Sequence, residues 1–109
     1  MDTVRLIVEA TRGRRVTLVE YDGRGSRTLR PHVVYRSGAG ALLLDAVQVA
    51  GATGPGRSLP GWRALRLDRV RHVVVTPDRF EPSPEFDLDA DKYTDVIAHC
   101  LGPLWAVPD

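Results

Sequence analysis

Residues 15–36 read Arg-Val-Thr-Leu-Val-Glu-Tyr-Asp-Gly-Arg-Gly-Ser-Arg-Thr-Leu-Arg-Pro-His-Val-Val-Tyr-Arg. The first seven, Arg15 to Tyr21, are rich in β-branched and apolar types, which favours a strand. Asp22-Gly23-Arg24-Gly25-Ser26 is a turn, because glycine enters the positive-φ region without a Cβ clash. Residues 27–36 then alternate. Leu29, Pro31, Val33 and Tyr35 share one face, and Thr28, Arg30, His32, Val34 and Arg36 share the other. Pro31 has no N–H to give a ladder, so the strand is at an edge or bends there. Strand, tight turn and alternating strand together predict an antiparallel β fold.

Working outward, Ser37-Gly38-Ala39-Gly40 is a second tight turn. Residues 41–49 form a third strand, apolar on both faces apart from Asp45 and Gln48, which predicts burial on both sides or under a covering helix. Residues 50–60 are a Gly/Pro loop, and loops of that length in small domains tend to be functional or mobile. Two more strands follow at 61–67 and 70–76, with Asp68-Arg69 at the bend between them. Five short strands predict a small barrel, because closure removes exposed edges.

Helices flank this body. Residues 3–12 place Val4, Ile7, Val8 and Thr11 on one face, with Asp2 or Thr3 as the cap and Gly13 as the close. After the strands, Pro77, Pro82 and Pro84 mark residues 77–88 as an extended linker. Residues 91–101 place Tyr93, Val96, Ile97, Cys100 and Leu101 at the i, i+3, i+4, i+7, i+8 spacing of an apolar helix face. Asp89 and Asp91 suit the positive N-terminal end of such a helix, and Gly102-Pro103 ends it. The expected class is mainly β with flanking helices: residues 1–80 form the barrel domain with its leading helix, and residues 81–109 an acidic linker and C-terminal helix.

At 109 residues the chain is the size of one domain and buries a core without staples. A single cysteine, Cys100, excludes an intrachain disulfide and suits a reducing compartment. Met1-Asp2-Thr3-Val4-Arg5 lacks the basic-then-apolar order of a signal peptide, and no apolar run approaches a membrane span, so the expected compartment is the cytoplasm, with no membrane partner. The net charge of +1 conceals two halves. Residues 1–79 carry 14 Arg against 7 acids, a net +7, and residues 80–109 carry Lys92 against 7 acids, a net −6. A basic body attracts phosphates; an Arg-preferring genome gives the same count without a ligand.

The order of one helix and five strands resembles the WYL domain, a ligand-sensing Sm/SH3-like barrel with a leading helix. Tyr21 matches the aromatic that closes the family's first strand. Arg27 and Pro31 match its Arg four residues before a Pro. Arg63-Ala64-Leu65-Arg66-Leu67-Asp68-Arg69-Val70 matches its Arg-x-x-Arg-Leu-Asp-Arg-Ile segment. The likeness covers residues 3–80. The Trp-Tyr-Leu triplet that names the family is replaced by Leu42-Leu43-Leu44, and Trp62 beside Arg63 offers a partial substitute. WYL domains usually follow a helix-turn-helix domain, so the expectation is a divergent, stand-alone member acting alone or with a separate DNA-binding protein. The resemblance implies a non-enzymatic regulatory domain that binds nucleotide or single-stranded nucleic acid, with Arg27, Arg63, Arg66 and Arg69 as the anion-binding residues.

Arg63 shares a strand face with Leu65 and Leu67, and an Arg on an apolar face either pairs or binds an anion. The plain alternative for Arg66 and Arg69 is solvation, or pairing with Asp68 and Asp45. His32 extends the basic surface, while Trp62 and Tyr35 are of the type that stacks bases; half-buried packing is the alternative for all three. Gly51 to Ser58 resembles a phosphate loop with Arg57 in place of lysine, but Leu59-Pro60-Gly61 forbids the helix that such a loop needs. No metal-ligand spacing and no nucleophile motif is present, so no cofactor or metal is expected, and Cys100 reads as a buried, inert thiol. A second function class is a protein-interaction or homodimerisation module using the apolar face of the C-terminal helix.

Overall fold

The computed structural model describes residues 2–104. In chain order it contains α1 (Thr3–Gly13), β1 (Arg15–Tyr21), β2 (Ser26–Arg36), β3 (Leu42–Gly51), β4 (Gly61–Arg66), a single 3-10 turn (Leu67–Arg69), β5 (Val70–Arg79) and β6 (Val96–His99). The fold is mainly β with one leading helix. All ladders are antiparallel in the order β4-β3-β2-β1-β5, and β6 pairs with β2.

Two expectations about the architecture need correcting. The barrel is not closed by its ladder: β4 and β5 end the sheet, and six strands form it rather than five. The sheet still curls around one interior, because Leu65, Leu67 and Val70 join Val19, Leu29, Leu44 and Ile7 in a single buried cluster. The second correction is the C-terminal helix, which is β6 instead. β2 is long and pairs with β1 only from Ser26 to Leu29, so its farther half offers an open edge. β6 fills that edge opposite Val33, Val34 and Tyr35, and Cys100 N–H bonds to the His32 carbonyl at 2.9 Å. An isolated eleven-residue helix is marginal in water, whereas a strand edge satisfies backbone groups at once.

Pro31 marks the change of partner. The register of β2 against β3 slips between Pro31↔Ala46 and Val33↔Asp45, leaving His32 as the extra residue of a bulge. The slip reverses the side-chain parity beyond it, and Trp62, Phe80 and Phe86 cover His32 while Tyr93 covers Tyr35, so residues 31–35 are all buried, whereas strict alternation predicts an exposed face. At the chain start Asp2 caps α1, its Oδ1 accepting from Arg5 N–H at 3.2 Å. The closing residue is Arg14, not Gly13: Arg14 sits at φ 54° and its Nε donates to Cys100 O at 2.7 Å. That bond ties the left-handed residue to the end of β6 and helps offset about 1 kcal/mol of backbone strain.

Candidate functional site: an arginine-lined mouth

The inner face of the sheet is apolar at its centre and polar at one end. Arg27 shares the face of Val19 and Leu29, Gln48 that of Ala46, and Arg63 that of Leu65. These three polar side chains meet where β3 runs out and the 52–60 loop begins. The approach of β2 and β3 there needs Gly51, which has φ +98° and where a Cβ would fall 2.2 Å from Ser26 O.

Arg63 is 7% exposed. Its Nη1 donates to Trp62 O at 2.9 Å, and its Nη2 to Ser58 O at 2.9 Å and Thr53 Oγ1 at 3.0 Å. Gly61 makes the room: a Cβ there would lie 2.7 Å from Arg63 Nη1 and 3.0 Å from Ser58 O. Arg27 lies over the Tyr21 ring, 5.0 Å from its centroid, and its Nη1 donates to Gln48 Oε1 at 3.4 Å. Gln48 is fully buried and is held by the carbonyls of Ala50 and Ala52. Arg57 completes the group from the loop, donating to Trp62 O at 3.3 Å.

None of these three guanidinium groups forms an ion pair among the described residues, and the Nε atoms of Arg27 and Arg63 are buried without any hydrogen-bond partner. Burial, then Arg57 and Arg27, push the Arg63 guanidinium below its usual range. A buried arginine beside two further cations and without a counter-ion is unfavourable, and an anion at the guanidinium groups relieves it by restoring charge balance.

The other expected residues go elsewhere. Arg66 is held by Asp68 through two hydrogen bonds, Nε to Oδ1 at 3.1 Å and Nη2 to Oδ2 at 2.7 Å. Arg69 is exposed on the 3-10 turn. His32 is completely buried. Its Nδ1 lies 2.7 Å from Arg30 O and its Nε2 accepts from Ser83 N–H at 2.9 Å, which makes it a neutral ring protonated on Nδ1. It packs on Trp62, Phe80 and Phe86 with centroids 4.8, 5.1 and 5.3 Å away. Trp62 is half-buried on the outer face of β4, the side opposite the Arg63 side chain, and Tyr35 is buried with its hydroxyl on Asp45. Arg27 and Arg63 are therefore brought together, while Arg66, Arg69, His32 and Trp62 are not part of the mouth.

Sequence reasoning passed over Arg57 and Gln48. Arg57 falls within the phosphate-loop likeness that Leu59-Pro60-Gly61 rules out, and β4 follows it in place of a helix. The signal for Gln48 was a polar residue at an inward position of an otherwise apolar strand. Among the described residues no group of three or more His, Cys, Asp or Glu is placed to hold a metal ion, and no helix is long and apolar enough to cross a membrane. No protein-family model matches the chain, and neither a curated protein nor a solved structure shows significant similarity to it.

Proposed function

We propose that this chain is a non-enzymatic binding module, a WYL-like regulatory domain that takes a nucleotide or a short single-stranded nucleic acid by its phosphate at the Arg27–Arg57–Arg63 mouth. The observation that carries the reading is that buried Arg63 and half-buried Arg27 stand together without a carboxylate, each with a buried Nε–H unpartnered. Arginine suits the task because its planar fork meets phosphate oxygens two at a time. The Sm/SH3-like description of the sheet belongs to the same proposal. It is supported by the strand order, by the leading helix packed on the core, and by the 3-10 turn joining β4 to β5.

Fluorescence anisotropy with a short oligothymidylate tests it. Binding at low salt is expected to weaken with a log–log salt slope of about −2, as three phosphate contacts on a single strand would give. Arg63→Ala is expected to weaken binding at least tenfold. Arg66→Ala, whose side chain is already occupied by Asp68, is expected to change it less than threefold. Absence of binding at low salt, or equal losses in the two variants, would overturn the proposal.

A homodimer is the second reading. Its original motive, an apolar helix face, disappears with the helix, but Leu18 and Val74 sit opposite each other on β1 and β5 and are 38% and 57% exposed. Light scattering on the native chain and on Val74→Lys separates the two: a monomer in both forms removes this reading.

A further inference from the structure

The segment after β5 crosses the outer face of β3 and β4 before it enters β6, and a cavity of about 360 Å³ lies beneath it. Asp45 and Trp62 wall it from the sheet, and Glu85, Phe86, Asp87 and Tyr93 wall it from the crossing segment. The three rings are contiguous, Trp62 to Phe86 at 6.2 Å and Phe86 to Tyr93 at 6.0 Å. Asp45 is only 3% exposed, and its two carboxylate oxygens accept from the Tyr35 hydroxyl at 3.0 Å and the Tyr93 hydroxyl at 2.7 Å.

One cation already sits there. Lys92 is the only lysine in the chain. Its Nζ lies 2.8 Å from Asp45 Oδ2 and 5.2 Å from the Tyr93 ring centroid, while the side chain is 59% exposed. The ammonium therefore reaches in from solvent to a nearly buried carboxylate. Arg63 also contributes to the wall, but its guanidinium is tied to Ser58 and Thr53. With Lys92 withdrawn, the cavity presents three carboxylates and three aromatic rings. Ring faces attract cations, and a buried carboxylate needs a charged partner.

The geometry points to a second binding site, in which this cavity takes a primary alkylammonium group, with Asp45 as counter-ion and the rings around its methylene stem. Lys92 is the chain's own stand-in for that ligand and swings out to admit it. The site borders the arginine mouth at Arg63 and selects the opposite charge. The ammonium comes either from a free polyamine or from the lysine side chain of a peptide, since both present the same stem and head.

The test is a titration of the native chain, Lys92→Ala and Lys92→Met with n-butylamine, followed through the Trp62 indole N–H resonance, with 1-butanol as the uncharged match. Lys92→Ala is expected to bind n-butylamine at least fivefold more tightly than the native chain. Lys92→Met, which refills the stem volume without charge, is expected to bind no more tightly than the native chain, and 1-butanol is expected to bind to none of the three. Spermidine and a blocked lysine tripeptide are then compared on Lys92→Ala. Either order of affinity supports the site and assigns the source of the ammonium. No gain in Lys92→Ala, or equal binding of the alcohol, overturns the proposal.

Discussion

His32 shows how far one residue type can depart from its expected role. On the strand it reads as part of a basic surface, but residues 80–86 cover it there against Trp62, Phe80 and Phe86, both ring nitrogens are used, and burial holds its pKa below the ordinary 6.5. The unfolded chain therefore takes up the proton more readily than the folded one. The contribution to stability is complete above about pH 6.5 and falls by up to about 1.4 kcal/mol per pH unit as pH drops toward the folded-state value. Urea midpoints at pH 7.5 and pH 5 should thus differ more for the native chain than for His32→Phe; equal differences would refute this assignment. Cys100 was read correctly as buried although its element was not, and burial pushes its thiol up to about 11. It should resist alkylation at pH 8 in the folded chain and react on unfolding. Asp45 was noted only as an exception in an apolar strand, because nothing local announces that two tyrosines 10 and 48 residues away converge on it. Asp45→Ala should cost about 3 kcal/mol in chemical denaturation, since it strands two donors in or near the core.

At the scale of elements, the five strands and the leading helix were legible because alternation, β-branched runs and glycine turns are local signals. β6 was not. Tyr93, Val96, Ile97 and Cys100 satisfy a helix spacing, yet the decision belongs to β2, whose edge beyond Leu29 is open only because β1 has already ended. Such a vacancy is a tertiary fact, and no window of sequence contains it. The same vacancy predicts that residues after Phe80 are integral to the fold. Truncation there removes the partner of Val33–Tyr35, the Ser83 bond to His32, and buried Ala98 and Cys100. The truncated chain should lose its near-ultraviolet circular dichroism and its cooperative unfolding transition; a truncated chain as stable as the native one would contradict this account of β2.

Across the whole molecule the charge asymmetry resolves into places. The basic body concentrates three unpaired guanidinium groups at the mouth, while Arg66 is neutralised by its neighbour Asp68. Residues 81–95 of the acidic segment fold back over the outer face of the sheet, where Glu85 and Asp87 line a cavity that Arg63 also borders. Strand parity alone placed Arg63 inward and so pointed to the mouth. It did not reveal that Arg57 would join from a loop, since loop geometry carries no period. The most direct measurement observes the two free donors themselves. The Nε–H resonances of Arg27 and Arg63 in the ¹⁵N-labelled chain are followed as a short oligothymidylate is added at low salt. Both are expected to move together along one saturating curve that weakens as salt is raised. If both resonances stay in place while the oligonucleotide binds, or if it does not bind at all, the arginine mouth is not the ligand site.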